Sequence, residues 1–224
     1  RRNCPVTKLS GPMLPPRSGN APQQAVVLLH GYGSNGADLI GLAPHWQDVL
    51  PDAVFVSPNA PQQCEGLAEG FKWFDVSFDG DRLASRQTGC QAARPVLLEF
   101  LTDLWIQTGI APEQTLLVGF SQGAMMALHV GLSLPERLMG IVAFAGALLP
   151  PEGFGTAAVG QPPVCLVHGD ADTVVDPERS ADADVALRLA GYEVSYHVSP
   201  GVGHGISPDG LDFATRFIAR IAAK

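Results

Sequence analysis

A chain of 224 residues with a formal net charge of −8 is long enough to bury one sizeable core and carries too few basic residues to grip a phosphate backbone. Apolar residues at 46% and charged residues at 16% exclude a disordered or fibrous chain and predict one domain over residues 1–224. No apolar stretch reaches the roughly 18 residues that span a bilayer and no apolar leader follows Arg1, so a soluble, cytoplasmic protein without a signal peptide is expected.

The first predicted strand, residues 25–30, is an unbroken apolar run of the kind found in strands covered on both faces. It leads into the glycine-rich turn His30-Gly31-Tyr32-Gly33 and a helix expected over residues 36–50. A second strand at 53–57 precedes the longest irregular segment, 61–81, which holds Phe71, Trp73 and Phe74; loops of that length usually have a task. Helical composition over 87–108 is followed by a strand at 115–120, and the helix expected over 122–134 is apolar nearly all round, which places it in the interior. Strands at 140–145, 164–168 and 193–198 alternate with helices at 177–190 and 207–223. Asp176-Pro177 and Ser207-Pro208 each supply an N-cap and a proline at the first helical position, and Gly191 supplies a C-terminal stop. The last helix carries an apolar stripe of Leu211, Ala214, Phe217, Ile218 and Ile221 for the sheet. This alternation predicts the α/β class, a mostly parallel sheet with helices on both faces and little room for a separate lid.

Beyond Arg1-Arg2 the basic residues are scattered singly, so the acidic excess reads as a solvated surface. Cys4, Cys64, Cys90 and Cys165 show neither CxxC pairing nor metal-ligand spacing, and free thiols are expected, with a Cys64–Cys90 bridge as the alternative.

The segment Gly119-Phe120-Ser121-Gln122-Gly123 is a G-x-S-x-G sequence set between an apolar strand and an apolar helix, the context that a nucleophile elbow demands. A serine at so sharp a turn is strained, and glycines two residues to either side relieve the crowding. The turn also sets the Gln122 N–H at a helix start, where dipole and unpaired donors favour a developing oxyanion. A second such donor is expected from the loop after the first strand, by position the N–H of Tyr32, while His30 is expected to hold that loop by hydrogen bonding.

Serine is a poor nucleophile at its ordinary pKa, so an imidazole must take its proton and a carboxylate must orient that imidazole. Of six histidines, His204 lies in a glycine-rich loop after the last strand, at the sheet edge where α/β folds bind ligands. His129 is mid-helix, His197 within a strand, His45 on a helix, and His30 and His168 precede glycines at strand ends. Asp170, Asp172 and Asp176 follow the 164–168 strand; with Asp176 taken as a helix cap, Asp172 is preferred and Asp170 is the alternative. The chain order Ser, Asp, His is the α/β-hydrolase order. Trp73 and Phe74 suit a pocket wall or the core equally, with Leu67 and Val174 as further pocket candidates.

Together LLHGYGSNGADL, Trp73-Phe74-Asp75, GFSQGA, HGDAD and GHGI resemble the phospholipase/carboxylesterase family that includes the acyl-protein thioesterases. The resemblance spans nearly the whole chain and implies an α/β-hydrolase fold that cleaves short to medium acyl esters, with lysophospholipids or acyl-protein thioesters among the substrates. It also implies no cofactor or metal, and a homodimer in many members. Carried over by residue, it implies catalytic roles for Ser121, Asp172 and His204 and oxyanion donors at Tyr32 and Gln122. Two positions depart from the family pattern: Tyr32, where leucine is frequent, and Gly205, where an acidic residue is common. The rival readings are acyl transfer to an acceptor other than water, peptide cleavage, and a non-catalytic binding protein on the same fold.

Overall fold

In the computed structural model, which describes residues 8–77 and 82–223, each of the six apolar runs forms a strand. Arg1-Arg2 and Cys4 lie outside the described residues, as does the end of the 61–81 segment. The strands are β2 (Gln24–Leu29), β3 (Ala53–Val56), β6 (Thr115–Phe120), β7 (Gly140–Phe144), β8 (Val164–Gly169) and β9 (Val194–Ser199). A two-residue strand β1 (Met13–Leu14) adds antiparallel to β3, and a small separate ribbon pairs β4 (Gln62–Gln63) with β5 (Phe71–Lys72). The large sheet runs β1-β3-β2-β6-β7-β8-β9, parallel throughout except at β1.

Helices cover both faces because neighbouring side chains on these strands point to opposite sides. Val26 and Leu28 of β2 join a cluster with Trp46, Phe55 and the inner face of α5 (Pro208–Ala222), whose Ala214, Phe217, Ile218 and Ile221 are buried. Val27 and Leu29 face the other way, into a cluster with α2 (Arg82–Thr108), α3 (Gln122–Gly131) and α4 (Glu178–Leu189). Every residue of α3 is buried, as its all-round apolar sequence requires.

The helix boundaries follow local chemistry. Asp176 accepts from the Glu178 N–H at 3.0 Å, and Ser207 caps α5 through the Gly210 N–H with Pro208 at the first helical position. At the other end of α4, Gly191 takes φ +87°, and the Tyr192 N–H reaches back to the Leu187 carbonyl at 3.0 Å, a Schellman stop. The helix expected over 36–50 is shorter: α1 (Gly36–Leu39) gives way to a 3-10 helix (Ile40–His45) containing Pro44, which has no N–H to continue an α-helical ladder. In the opposite direction, α2 begins at Arg82 rather than at 87.

The strand order reverses between β2 and β6, so the crevice beyond their carboxyl ends is the position where sheets of this kind bind ligands. The turn with Tyr32 follows β2 and the elbow with Ser121 follows β6, which puts both at that crevice. Among the described residues no helix is long and apolar enough to cross a membrane. Cys64, Cys90 and Cys165 are buried free thiols, so the alternative Cys64–Cys90 bridge is not formed.

Candidate active site

Ser121 stands between β6 and α3 with φ 53° and ψ −115°, a backbone conformation that costs a non-glycine residue on the order of 1–3 kcal/mol. The turn is this tight because α3 starts directly against the end of β2. A Cβ on Gly123 would lie 1.9 Å from the Leu29 carbonyl oxygen, and one on Gly119 would lie 2.3 Å from that of Gly123. Both glycines are thus demanded by close backbone approach.

Two loops bring the imidazole and carboxylate to this serine. After β8 and β9 the chain zips together: the Ala171 N–H donates to the Val202 carbonyl at 3.0 Å and the Gly201 N–H to Asp170 Oδ1 at 2.6 Å. His204 Nε2 then lies 3.0 Å from Ser121 Oγ, and its Nδ1 lies 2.7 Å from Asp172 Oδ2. With the carboxylate accepting at Nδ1–H, the free lone pair of Nε2 faces the serine hydroxyl. The rings of Phe120 and His204 pack with centroids 4.9 Å apart. Asp170, the alternative acid, is exposed and serves the neighbouring turn instead.

Asp172 is buried and saturated with donors. Oδ1 accepts from the N–H groups of Val174 and Val175 at 2.8 and 3.0 Å, and Oδ2 lies 3.1 Å from His168 Nε2 besides its bond to His204. Burial pushes its carboxyl up, but the bonds from His204, Val175 and Val174 together outweigh that, and it is held below the usual aspartate value.

The turn after β2 is clamped from outside. Gly33 donates to the Phe71 carbonyl at 2.8 Å and Phe71 donates to that of Ser34 at 2.8 Å, so β5 fixes the loop that carries Tyr32. His30 supports it from within, with Nε2 accepting from the Ala60 N–H at 2.9 Å and Nδ1–H donating to the Gly31 carbonyl at 2.8 Å. Burial lowers its pKa and keeps the ring neutral. Neither the Tyr32 N–H nor the Gln122 N–H, first in α3, has an acceptor among the described residues.

Ser121 opens into a groove of about 150 Å³ whose walls include Tyr32, Phe74, Met125, Val174 and Val175. Of the four predicted pocket residues, Phe74 and Val174 are in this wall. Trp73 is fully buried in the core, its indole N–H donating to the His30 carbonyl at 3.0 Å. Leu67 is half exposed over Gly33 and Gly70, outside the groove.

A family model described as Phospholipase/Carboxylesterase matches residues 17–222. The chain belongs to the phospholipase/carboxylesterase family. A solved structure of esterase PE8 is 51% identical, with a TM-score of 0.90 over 96% of this chain and 99% of that one. The acyl-protein thioesterase 1 of Gibberella zeae is 31% identical over 87% of this chain and 89% of its own length. Esterase YpfH of Escherichia coli is 31% identical over 86% of this chain and 80% of its own length. The protein is an α/β-hydrolase of the phospholipase/carboxylesterase family, without a large cap domain among its described residues.

Within this family member, three features were not drawn from the sequence. The Gln122 side chain accepts from the Trp73 N–H at 2.8 Å and donates to the Phe74 carbonyl at 2.8 Å, tying the 61–77 segment to the elbow. Met125, four residues after Ser121, reaches the groove because i and i+4 share a helix face. His168 donates from Nε2 to Asp172 Oδ2 and to the Val175 carbonyl at 3.0 Å, with Ser180 Oγ 2.6 Å from its Nδ1. Its spacing four residues before Asp172, across the turn after β8, was the available signal. The remaining histidines have other bonds or positions: His129 lies 2.7 Å from the Leu149 carbonyl, His197 lies 2.7 Å from Asp209 and stacks on Phe213, and His45 is exposed.

Proposed function

We propose that this protein is a serine carboxylesterase, one domain that hydrolyses short- to medium-chain carboxylic esters and thioesters through an acyl-enzyme on Ser121. The observation that carries the reading is the unbroken relay from Asp172 Oδ2 through His204 to Ser121 Oγ, at 2.7 and 3.0 Å, opening into an apolar-walled groove. His204 Nε2 takes the hydroxyl proton as Oγ attacks the carbonyl carbon, and Asp172 stabilises the imidazolium that forms. The carbonyl oxygen gains the negative charge between the N–H groups of Tyr32 and Gln122, each worth about 3 kcal/mol of barrier in such sites. His204 returns the proton to the departing alcohol or thiol, and a water repeats the sequence to release the acid. A groove of 150 Å³ suits an acyl chain of about six heavy atoms, the scale of a benzene-sized cavity. Thioesters belong in the reading because a related chain carries the name acyl-protein thioesterase and the same attack serves both bonds.

The test is reaction with a fluorophosphonate together with turnover of p-nitrophenyl butyrate. One adduct per chain, located on Ser121 by mass spectrometry and lost turnover in parallel, is expected; labelling elsewhere, or turnover that survives full labelling, refutes the assignment. Through its bond to Asp172, His168 acts as a positioning residue. His168→Gln should lower kcat about tenfold, as misplacement of a reacting group does, while leaving KM unchanged. A KM that rises in step with the loss of kcat would argue against that role.

A further inference from the structure

One wall of the groove is a side chain whose neighbours leave it little freedom. Gln122, the residue after Ser121, accepts from the Trp73 N–H and donates to the Phe74 carbonyl, so one buried amide grips the Trp73-Phe74 pair at both ends. Trp73 is itself pinned by its indole bond to the His30 carbonyl, which stops the pair from sliding. Against the Phe74 ring stands α2. A Cβ on Gly89 would lie 2.5 Å from Phe74 Cδ2, 2.6 Å from its Cγ and 2.9 Å from its Cβ, well inside van der Waals contact. Glycine inside a helix is unfavourable relative to alanine, and its presence here has a packing reason: it makes room for the ring.

Among the described residues the apolar wall of the groove grades from mouth to floor. Val174 and Tyr32 are 62% and 47% exposed, whereas Phe74, Met125 and Val175 are 4%, 3% and 2% exposed. Of the three floor residues, Val175 is short and Met125 is a flexible thioether chain that can yield to a ligand. Phe74 alone is both large and rigid. We infer that Phe74 is the acyl-length stop of this groove: seated on Gly89 and held by Gln122, its ring ends the space that an acyl chain can follow from Ser121. Chains up to about hexanoyl fit the volume. In longer ones the last methylenes stay out of apolar contact and add nothing to binding. This inference rests on the proposed esterase activity and names the residue that limits its acyl chain.

The experiment measures kcat/KM for p-nitrophenyl acetate, hexanoate and octanoate on the full chain. The parent should prefer hexanoate to octanoate. Phe74→Ala should raise the octanoate-to-hexanoate ratio about tenfold or more, the worth of one added methylene in an apolar pocket. Gly89→Ala should act in the opposite sense. Its new methyl group drives the ring toward the groove, the side with empty space, and the hexanoate-to-acetate ratio should fall by a similar factor. In the double variant Gly89→Ala/Phe74→Ala there is no ring to drive, so the Gly89 change should lose its effect on that ratio. Should Phe74→Ala lose its native circular dichroism, Phe74→Leu takes its place in both comparisons, with smaller shifts of the same sign. A parent that hydrolyses octanoate as well as hexanoate, ratios unmoved by the Phe74 variants, or a Gly89→Ala effect that persists without the ring overturns this inference alone. Absence of hydrolysis of every ester by the parent overturns the esterase reading and this inference with it.

Discussion

Ser121→Ala is expected to lower kcat for p-nitrophenyl butyrate by roughly 10⁴- to 10⁶-fold, the loss seen when the nucleophile of a Ser-His-Asp relay is removed. The proposed His204 base is left with no hydroxyl to deprotonate, and only the donors of Tyr32 and Gln122 remain to assist direct attack by water. Stability should respond separately, because φ 53° is costly for alanine as well as for serine. Ser121→Gly removes that strain and should be equally inactive yet more stable than Ser121→Ala by about 1 kcal/mol, a rise of about 2–4 °C in melting temperature for a chain of this size. Parallel assays and thermal melts of the two variants check both parts. Activity of the alanine variant within tenfold of the parent would remove Ser121 from the chemistry. Equal melting temperatures would remove the strain argument while leaving the nucleophile assignment intact.

The central sheet and the relay were legible in the sequence for the same physical reason. Strands β2, β6, β7 and β8 are buried on both faces, so their apolar runs are continuous and their ends lie within one or two residues of the expected positions. Ser121 is placed by Gly119 and Gly123, which close backbone contacts require, and His204 by a glycine-rich turn in which Gly201 takes φ +70°; both glycine patterns are visible without coordinates. Features set by distant partners were not legible. Met13–Leu14 is too short to show a strand pattern and is defined only by its pairing with β3. Trp73 could have faced the groove or the core, and the choice depends on a carbonyl 43 residues away in the chain. Helix α2 begins at Arg82, five residues before the expected start at 87, within a stretch of small and polar residues that gives little apolar periodicity. With the helix expected only from 87, Arg82 and Arg86 lay in a loop, and their shared helical face could not be seen. The partnership of His168 with Asp172 was missed because a histidine ahead of a glycine at a strand end has an ordinary packing explanation.

Asp172→Asn should reduce kcat about 10⁴-fold with little change in the fold, the effect of forcing the wrong imidazole tautomer. The four groups around this carboxyl are all donors: Val174 and Val175 N–H at Oδ1, and His204 Nδ1–H and His168 Nε2–H at Oδ2. An amide has one oxygen to offer them. If that oxygen stays with the backbone pair, the NH₂ group faces His204, which must turn Nδ1 into an acceptor, carry its proton on Nε2 and cease to be a base for Ser121. If the amide flips, the NH₂ group confronts two backbone donors, and each buried unpaired group costs about 1–3 kcal/mol. Asp170→Asn is the discriminating control: Asp170 is exposed and bonds only the Gly201 turn, so its loss should be far smaller, and a larger loss there than at Asp172 would reverse the assignment of the acid. The same substitution tests the electrostatics. Because folding depresses the Asp172 carboxyl, with the His204, Val175 and Val174 bonds prevailing over burial, its contribution is fully present above the ordinary aspartate value of about 3.9 and fades as pH falls through the lower folded value. Urea unfolding at neutral pH and again below the ordinary aspartate value should therefore show a smaller acid-induced loss of stability in Asp172→Asn than in the parent. An equal loss in both would mean that the carboxylate is not preferentially held in its charged form, and the bonds drawn to it would lose their electrostatic support.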